Sequence, residues 1–350
     1  MTLYDLAKPL LFRLPPETAH TAVHSLLRAS QETPLAGLLE SHYAVDDERL
    51  QTEAFGQTFS NPVGVAAGFD KNAEIPHALQ SLGFGFVEVG GVTAEPQEGN
   101  PRPRMFRLAD DDGLINRMGL NNDGADVVGR RLLRTDVDVP VGVNIAKTEH
   151  VPPADAPTDY RRTYERVAEG ADFFVVNISC PNSQGFEELQ NRESMAAIFE
   201  TLTDAGASPL LVKLSPDLPD PAVEDALRIV SEFDLDGVVA TNTSTERPAS
   251  LRSANRTEEG GLSGKPIERD ATEMVRFVAE RTDVPVVGVG GVSSAKSAYR
   301  KIRAGASLVQ LYTGLAYHGP SIARDINRGL LDLLAADGFD SVADAVGADL

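Results

Sequence analysis

The sequence predicts an α/β protein built as a (β/α)8 TIM barrel, with a small helical extension at its N-terminus. From Phe55 onward one unit recurs, in which a short strand rich in Val, Ile and Gly is followed by a turn and an amphipathic helix. Eight such strands can be counted, and polar residues follow their C-terminal ends, where this fold places its active sites. We therefore expect a helical hairpin at residues 1–45, a barrel at 46–335 and an acidic tail at 336–350.

The N-terminal segment carries two apolar stripes at helical spacing. The stripes are Leu3, Leu6, Leu10 and Leu11, and then Ala19, Val23, Leu26 and Leu27 after Pro15 and Pro16. A hairpin of this kind has one apolar side. It either caps the barrel or offers a surface to a membrane or an apolar substrate, and its mixed charge does not decide between these roles.

The barrel prediction depends on the strands and on the helical patterns between them. The strands are predicted at 63–66, 86–90, 141–145, 173–178, 210–214, 237–241, 286–289 and 308–312. The helices are predicted at 122–133, 159–168, 194–203, 221–233, 269–281 and 295–304, and polar insertions at 97–116 and 245–264. A doubly wound open sheet is the alternative, but it normally carries G-x-G-x-x-G after its first strand, where Val65 to Lys71 stands here.

Composition excludes several classes of protein. The 350 residues carry a net charge of −20, which disfavours nucleic acid as a partner and fits a host that lives in concentrated salt, although an ordinary acidic protein is the alternative. We expect no membrane-spanning helix and no secretory signal. A single cysteine cannot form an intramolecular disulfide, so the cytoplasm is the expected compartment.

The residues at the strand ends are mostly amides, hydroxyls and two lysines. None of the six histidines pairs with another at a ligand spacing near a strand end, so no metal site is expected. The segment Gly288 to Gly291, together with Gly305 to Ser307, is typical of the phosphate site that TIM barrels form after strands seven and eight. A tight turn that requires glycine is the alternative explanation.

Two lysines follow strands and should point into the barrel mouth. A buried Lys213 ammonium is costly without an anionic partner, and a flavin that gains negative charge on reduction would be one. Lys71 could instead pair with Asp70 or with a helix terminus. The four asparagines at strand ends could form turns, but together they better fit donors and acceptors for a small planar polar ligand. These asparagines are Asn116, Asn177, Asn182 and Asn242.

Cys180 is the candidate catalytic residue. A lone cysteine is most often a small buried apolar residue. Its position just past a buried strand, beside Pro181, favours instead a base that takes one proton from an activated carbon.

Six motifs resemble those of the dihydroorotate dehydrogenases, the flavin enzymes of pyrimidine synthesis. The motifs span nearly the whole chain and lie at 61–68, 115–119, 177–182, 240–243, 260–264 and 288–291. The resemblance implies oxidation of dihydroorotate to orotate, with FMN at the barrel mouth. It also implies that the base at Cys180 removes the C5 proton while hydride passes from C6 to the flavin N5.

The resemblance assigns the binding residues by position. The implied substrate residues are Lys71, Asn116, Arg117, Met118, Gly119, Leu120, Asn177, Asn182, Asn242 and Thr243. The implied FMN residues are Ala67, Gly68, Lys71, Gly91, Asn144, Asn177, Lys213, Thr241, Gly264, Gly291, Tyr312 and Thr313.

The N-terminal segment resembles that of the quinone-linked, membrane-associated branch (class 2). The resemblance implies a quinone tunnel lined by His20, Arg107 and Tyr312, and a peripheral position on the cytoplasmic side of the membrane. Two residues depart from the branch pattern, since Cys180 replaces the usual serine base and Gly91 a common threonine. The alternatives are a soluble dihydroorotate dehydrogenase that uses fumarate or NAD, a phosphate-binding barrel enzyme without flavin, and a non-catalytic flavin-binding module.

Overall fold

The computed structural model describes residues 3–179 and 189–350, and its centre is a closed barrel of eight parallel strands. The strands of the described residues are β1 Thr52–Ala54, β2 Gln57–Phe59, β3 Val63–Val65, β4 Phe86–Val92, β5 Met105–Leu108, β6 Gly113–Asn116, β7 Val141–Ala146, β8 Phe173–Asn177, β9 Leu210–Leu214, β10 Gly237–Ala240, β11 Gly261–Gly264, β12 Val286–Val289 and β13 Ala306–Leu311. Around the barrel the order is β3, β4, β7, β8, β9, β10, β12 and β13, and β13 pairs with β3 to close it. The predicted TIM barrel is therefore confirmed, and the doubly wound sheet is excluded.

Helices surround the barrel and connect its strands. They are α1 Leu3–Leu11, α2 Pro16–Gln31, α3 Leu35–Tyr43, α4 Pro76–Ser81, α5 Ala125–Leu132, α6 Ala156–Val167, α7 Arg192–Asp204, α8 Asp220–Glu232, α9 Glu268–Ala279, α10 Ala295–Arg303, α11 Thr313–His318, α12 Ile322–Asp337 and α13 Val342–Ala345. Short 3₁₀ helices lie at Glu48–Leu50, Ala109–Asp111, Pro153–Asp155, Ala168–Gly170, Ala254–Thr257 and Lys265–Ile267.

The barrel strands are buried on both faces, because helices cover the outside and side chains fill the inside. Every residue of β7, β8 and β9 is buried, which explains why these strands read as continuous apolar runs. The six predicted inter-strand helices correspond to α5 through α10, with ends that differ by no more than a few residues.

A hairpin closes the N-terminal end of the barrel. Strands β1 and β2 pair antiparallel, and the turn between them places Phe55 beside Phe59, with ring centroids 5.4 Å apart. Phe59 in turn lies against Phe86 at the start of β4, and Phe55 against Phe173 at the start of β8. This aromatic cluster fills the floor of the barrel, so its open end is the C-terminal one.

A small antiparallel sheet stands beside the open end. Strands β5 and β6 come from the segment after β4, and β11, which pairs with β6, comes from the segment after β10. These are the two segments expected as polar insertions. The sequence did not predict that these two segments pair with each other. Leu114 and Ser263 are neighbours across the sheet, but they are far apart in the chain.

The N-terminal segment forms three helices, α1 to α3, where the apolar stripes predicted two. Helix α2 starts with Pro16 at its first position, where proline's missing N–H costs nothing. Six leucines of this segment are exposed, with exposed fractions between 40% and 72%. They are Leu6, Leu10, Leu14, Leu26, Leu35 and Leu38. No helix within residues 3–179 and 189–350 is both long and apolar enough to cross a membrane.

The acidic C-terminal segment packs against the outer helices. Helix α13 contacts α10 and α12, and its Val342 and Ala345 are fully buried. Arg303 of α10 donates to the carboxylate of Asp349 at 2.6 Å. Residues 336–350 are thus attached to the barrel by both apolar and ionic contacts.

Candidate active site

A cleft of about 1200 Å³, part of it open to solvent, lies at the C-terminal ends of the barrel strands. Most of the residues that the resemblance assigned to ligand binding line it. The lining includes Ala67, Gly68, Lys71, Gly91, Asn116, Met118, Gly119, Leu120, Asn144, Asn177, Lys213, Thr241, Asn242, Thr243, Gly264, Gly291, Tyr312 and Thr313. The sequence therefore identified residues from many separate segments that the fold brings to one cavity.

The base of this cleft contains a buried charge pair that the sequence analysis did not identify. Glu88 of β4 is fully buried, and its Oε1 accepts hydrogen bonds from the Nζ of Lys213 at 3.2 Å and from the Nδ2 of Asn144 at 2.7 Å. Its Oε2 accepts from the Nε2 of Gln310 at 2.6 Å. Glu88 is thus the anionic partner that the Lys213 ammonium requires in a buried site.

Gln310 leaves one polar atom without a partner. The side chain is 1% exposed and lines the cleft, and its Nε2 is fixed by Glu88. Its Oε1 has no hydrogen-bond partner among the described residues. Because a buried acceptor without a donor is costly, this atom indicates a ligand that carries an N–H or O–H group at this position.

Three of the predicted asparagines, Asn144, Asn177 and Asn242, form a connected network at the mouths of β7, β8 and β10. Asn177 donates from Nδ2 to the Oδ1 of Asn144 at 3.2 Å. Asn242 donates from Nδ2 to the Oδ1 of Asn177 at 3.3 Å and to the Oγ of Ser179 at 3.1 Å. These bonds fix the direction of each amide, so the network presents a defined pattern of donors and acceptors to the cleft.

The glycine segment after β12 also lines the cleft. Gly290 and Gly291 have φ values of 103° and 76°, which other residues rarely adopt. Nearby, the hydroxyls of Ser263 and Thr313 are 2.8 Å apart, and Thr313 begins α11. The positive φ angles support the turn explanation, while the hydroxyls of Ser263 and Thr313, which both line the cleft, can donate to an anion such as phosphate.

Lys71 also reaches the cleft, and it does not pair directly with Asp70. Its Nζ donates to the carbonyl of Gly68 at 2.9 Å. Burial, reinforced by the charge of Arg104, lowers the pKa of Lys71 to about 8. Asp70 is instead fully buried and accepts from the backbone N–H groups of Glu74 and Ile75. This carboxylate holds the turn that carries Lys71.

The N-terminal helices meet the cleft at Tyr312. The ring of His20 in α2 is nearly parallel to that of Tyr312, with centroids 6.2 Å apart, and lies 5.1 Å from the ring of Phe69. Arg107 of β5 donates to the carbonyls of Phe12 and Leu14, which joins α1 to the sheet at the mouth. The three residues predicted for a quinone tunnel therefore all lie where the N-terminal segment contacts the barrel mouth.

One predicted substrate residue, Arg117, lies outside the cleft, and two further predicted residues fall outside the part of the chain that the structure describes. Arg117 donates to the carboxylate of Glu258 at 2.9 Å and lies over the ring of Phe106, outside the residues that line the cavity. Its side chain therefore does not support the predicted contact with substrate. Cys180 and Asn182 lie outside the described residues, so their assignments stay predictions.

Glu88 and Gln310 are the site residues that sequence analysis missed. A signal existed, because each is a long polar side chain inside a mostly apolar strand, in Phe86–Val92 and in Ala306–Leu311. A charged residue at such a position needs a partner. Within the described ranges, no group of His, Cys, Asp and Glu side chains is arranged to hold a metal ion.

Comparison with known proteins identifies the family. The dihydroorotate dehydrogenase family model matches residues 49–334. The chain therefore belongs to the dihydroorotate dehydrogenase family. The chain is 74% identical over its full length to a protein of Haloarcula marismortui named dihydroorotate dehydrogenase (quinone), and the alignment covers that protein completely. A protein of Halobacterium salinarum with the same name is 61% identical over 99% of this chain and all of its own.

A solved dihydroorotate dehydrogenase structure has the same fold. The crystal structure from Eimeria tenella, determined in complex with ferulenol, superposes with a TM-score of 0.89 at 38% identity and covers 95% of both chains. Coverage of 95% leaves about 18 of the 350 residues unmatched, so the similarity extends beyond residues 49–334 and includes part of the N-terminal segment.

Proposed function

We propose that this protein oxidises dihydroorotate to orotate in pyrimidine synthesis and passes the electrons to a quinone. The proposal rests mainly on the cleft, which is lined by the residues that the family resemblance assigns to ligand binding. It is supported by the 74% identity of the chain to a relative named dihydroorotate dehydrogenase (quinone). The cleft combines a buried lysine, an unsatisfied amide oxygen and a network of fixed amides. These groups suit a planar ligand with alternating donors and acceptors.

The residues present fit an FMN cofactor. The unpartnered Oε1 of Gln310 and the ammonium of Lys213 would face the polar edge of its ring, and the segment around Gly291 and Thr313 would hold its phosphate. The remaining proposed FMN residues are Ala67, Gly68, Lys71, Gly91, Asn144, Asn177, Thr241, Gly264 and Tyr312. When bound, FMN supplies the hydride acceptor that no side chain can provide.

The protein's own residues would bind and orient dihydroorotate. Lys71 and the amides of Asn116, Asn177 and Asn242 line the cleft and would hold its carboxylate and ring amides. A cation is the natural partner for a carboxylate, and bonds from fixed amides favour one orientation of the ring. Thr243 and the backbone of residues 118–120 complete this proposed substrate site.

Cys180 is proposed as the base that takes the C5 proton of dihydroorotate. It follows β8 and Ser179, whose Oγ donates to the carbonyl of Lys213 at 3.1 Å. Ser179, the residue before Cys180 in the sequence, is thus held against the strand that carries Lys213. The assignment of Cys180 itself rests on the resemblance.

The quinone is proposed to approach between the N-terminal helices and the barrel mouth. His20, Arg107 and Tyr312 lie along this contact, and burial lowers the pKa of His20 to about 3, so its ring is neutral at physiological pH. The N-terminal segment exposes six leucines, and such apolar side chains suit a peripheral contact with a membrane.

Cys180 is also the one residue that favours the soluble branch, which would use fumarate or NAD. An acceptor assay separates the two functions. Enzyme reduced anaerobically by dihydroorotate is mixed with a quinone, with fumarate or with NAD, and the return of flavin absorbance is followed. We expect rapid reoxidation by the quinone alone. Protein that stays colourless after FMN is added would contradict every flavin-dependent function.

The Cys180→Ala variant should retain FMN, but dihydroorotate should reduce that FMN at least about 100-fold more slowly than in the wild type at neutral pH. General-base catalysis typically accelerates a reaction by at least about 100-fold, and the variant lacks the base. Stopped-flow absorbance under anaerobic conditions measures this rate. Cys180→Ser is the matched control and should retain more activity than the alanine variant. Reduction of the alanine variant at the wild-type rate would refute the assignment.

A further inference from the structure

An ion pair between Glu17 and Arg104 connects the first turn of α2 to the region of the cleft. Neither residue belongs to the assigned site. Glu17 accepts from Arg104 through Oε1, at 2.8 Å from Nη2 and 3.2 Å from Nε. The Arg104 side chain is 6% exposed and that of Glu17 18%. Burial alone would raise the pKa of Glu17, but the hydrogen bonds and positive charges of Arg104 and Arg102 together lower it. The carboxylate is therefore ionised at neutral pH.

The other side of the Arg104 guanidinium holds a loop. Its Nη1 donates to the carbonyl of Glu98 at 2.7 Å and to that of Asn100 at 3.0 Å. Between them, Gly99 has a φ of 74°, and a Cβ there would lie 2.2 Å from the carbonyl oxygen of Met118. Arg104 thus fixes residues 98–100 in a position that packs directly on the segment of Met118.

Residues 98–100 in turn hold the loop proposed to bind substrate. Asn100 donates from its backbone N to the carbonyl of Met118 at 3.0 Å and from Nδ2 to the carbonyl of Arg117 at 3.0 Å. A Cβ on Gly119 would lie 2.7 Å from the backbone N of Asn100. Asn116, Met118, Gly119 and Leu120 of this loop line the cleft. A continuous series of short contacts therefore runs from α2 to the cleft.

We propose that Glu17 and Arg104 are positioning residues through which the N-terminal helices set the conformation of loop 116–120 for substrate binding. The inference rests on the proposed function of that loop. If Glu17 is removed, the buried Arg104 guanidinium loses its carboxylate and is free to move toward solvent, so its hydrogen bonds to the 98–100 carbonyls weaken. The loop then has more conformations to lose when it binds a ligand, and affinity falls.

The test is the equilibrium binding of orotate to the oxidised holoenzyme, followed by the change in flavin absorbance. Glu17→Ala should raise the Kd about tenfold, which corresponds to about 1.4 kcal/mol, with FMN content unchanged. The matched control is Arg102→Gln. Arg102 also pairs with Glu17, at 3.1 Å, but its side chain is 73% exposed, so its loss should leave the Kd within about twofold of the wild type.

Two further variants separate the possible results. Asn116→Ala should weaken orotate binding strongly, and a wild-type Kd in that variant would refute the proposed substrate site. A weakened Asn116→Ala beside an unaffected Glu17→Ala would overturn the positioning role alone. Arg104→Lys keeps the charge, but its single nitrogen cannot occupy both the Nη2 position that contacts Glu17 and the Nη1 position that contacts the two carbonyls, so it should also raise the Kd. If Glu17→Ala fails to hold FMN, a wild-type Kd in Arg104→Lys overturns the inference.

Discussion

Glu88 shows how one carboxylate can organise a site without facing the ligand directly. Its two oxygens accept from side chains on three other strands, namely Asn144, Lys213 and Gln310. All four side chains are almost completely buried. Because buried charges are stable only when paired and hydrogen-bonded, the carboxylate fixes the position of the Lys213 ammonium as well as its own.

Glu88→Gln should therefore destabilise the protein. Removal of one partner leaves an uncompensated Lys213 ammonium at 5% exposure, which typically costs about 3–5 kcal/mol. Chemical denaturation at a fixed FMN concentration measures the loss, since bound ligand adds to the apparent stability.

The control for Glu88→Gln is the double variant Glu88→Gln with Lys213→Met, which removes both charges and should recover much of the stability. A Glu88→Gln protein as stable as the wild type would show that the ammonium is hydrated in the folded state.

At the scale of single residues, the sequence predicted most of the residues that line the cleft, but it missed Glu88 and Gln310 at the base. Strand-end positions such as Asn144 and Lys213 were found because the fold fixes where strands end. The pairing of Glu88 with Asn144, Lys213 and Gln310 was not predicted, because these side chains come from β7, β9 and β13, and only the closure of the barrel brings those strands within reach of one carboxylate.

At the scale of elements, helix α2 contacts the barrel through His20, whose pKa is lowered in the folded protein. Burial is the largest cause of the low pKa of His20, about 3, and the positive charges of Lys71 and His24 add to it, while Asp70 opposes them. An unfolded histidine has a pKa of about 6.5. Between these values the unfolded chain binds a proton that the folded protein does not, so folding stability falls as the pH decreases from about 6.5 towards 3.

His20→Gln should remove this contribution. The wild type's free energy of unfolding minus that of the variant should be constant above pH 7. It should decrease steadily as the pH is lowered from 6.5 to 4. Denaturation curves at several pH values in a constant salt concentration provide the measurement. A difference that does not change with pH would mean that the His20 ring can take up a proton in the folded state.

The elements themselves were predicted unevenly. The eight barrel strands and six helices were located from hydrophobic periodicity, because each buries an apolar face with a regular repeat. The sheet of β5, β6 and β11 was missed because its pairing depends on contacts between distant segments, as between Ile115 and Leu262. Helix α3 was missed because its apolar residues, including the exposed Leu35 and Leu38, do not form one buried stripe.

At the scale of the whole molecule, the net charge of −20 should make stability depend on salt. Carboxylates repel one another across the surface, and the screening length shortens from about 10 Å at 0.1 M salt to about 3 Å at 1 M. We expect the free energy of unfolding to decrease when KCl is lowered from about 2 M to about 0.1 M. The matched control neutralises three exposed carboxylates with Glu193→Gln, Asp234→Asn and Asp332→Asn, and should reduce this dependence. Equal stability of the wild type at both salt concentrations would contradict the expectation.

The contact between Glu17 and Arg104 also bears on how such a chain can change during evolution. One partner belongs to the N-terminal helices and the other to the segment that follows β4, so each loses a charge partner when the other is replaced. An N-terminal segment acquired from another source would have to supply a carboxylate at the position of Glu17, or Arg104 would have to be replaced at the same time. The two segments are therefore expected to be inherited together, and the first 45 residues cannot be exchanged as an independent module.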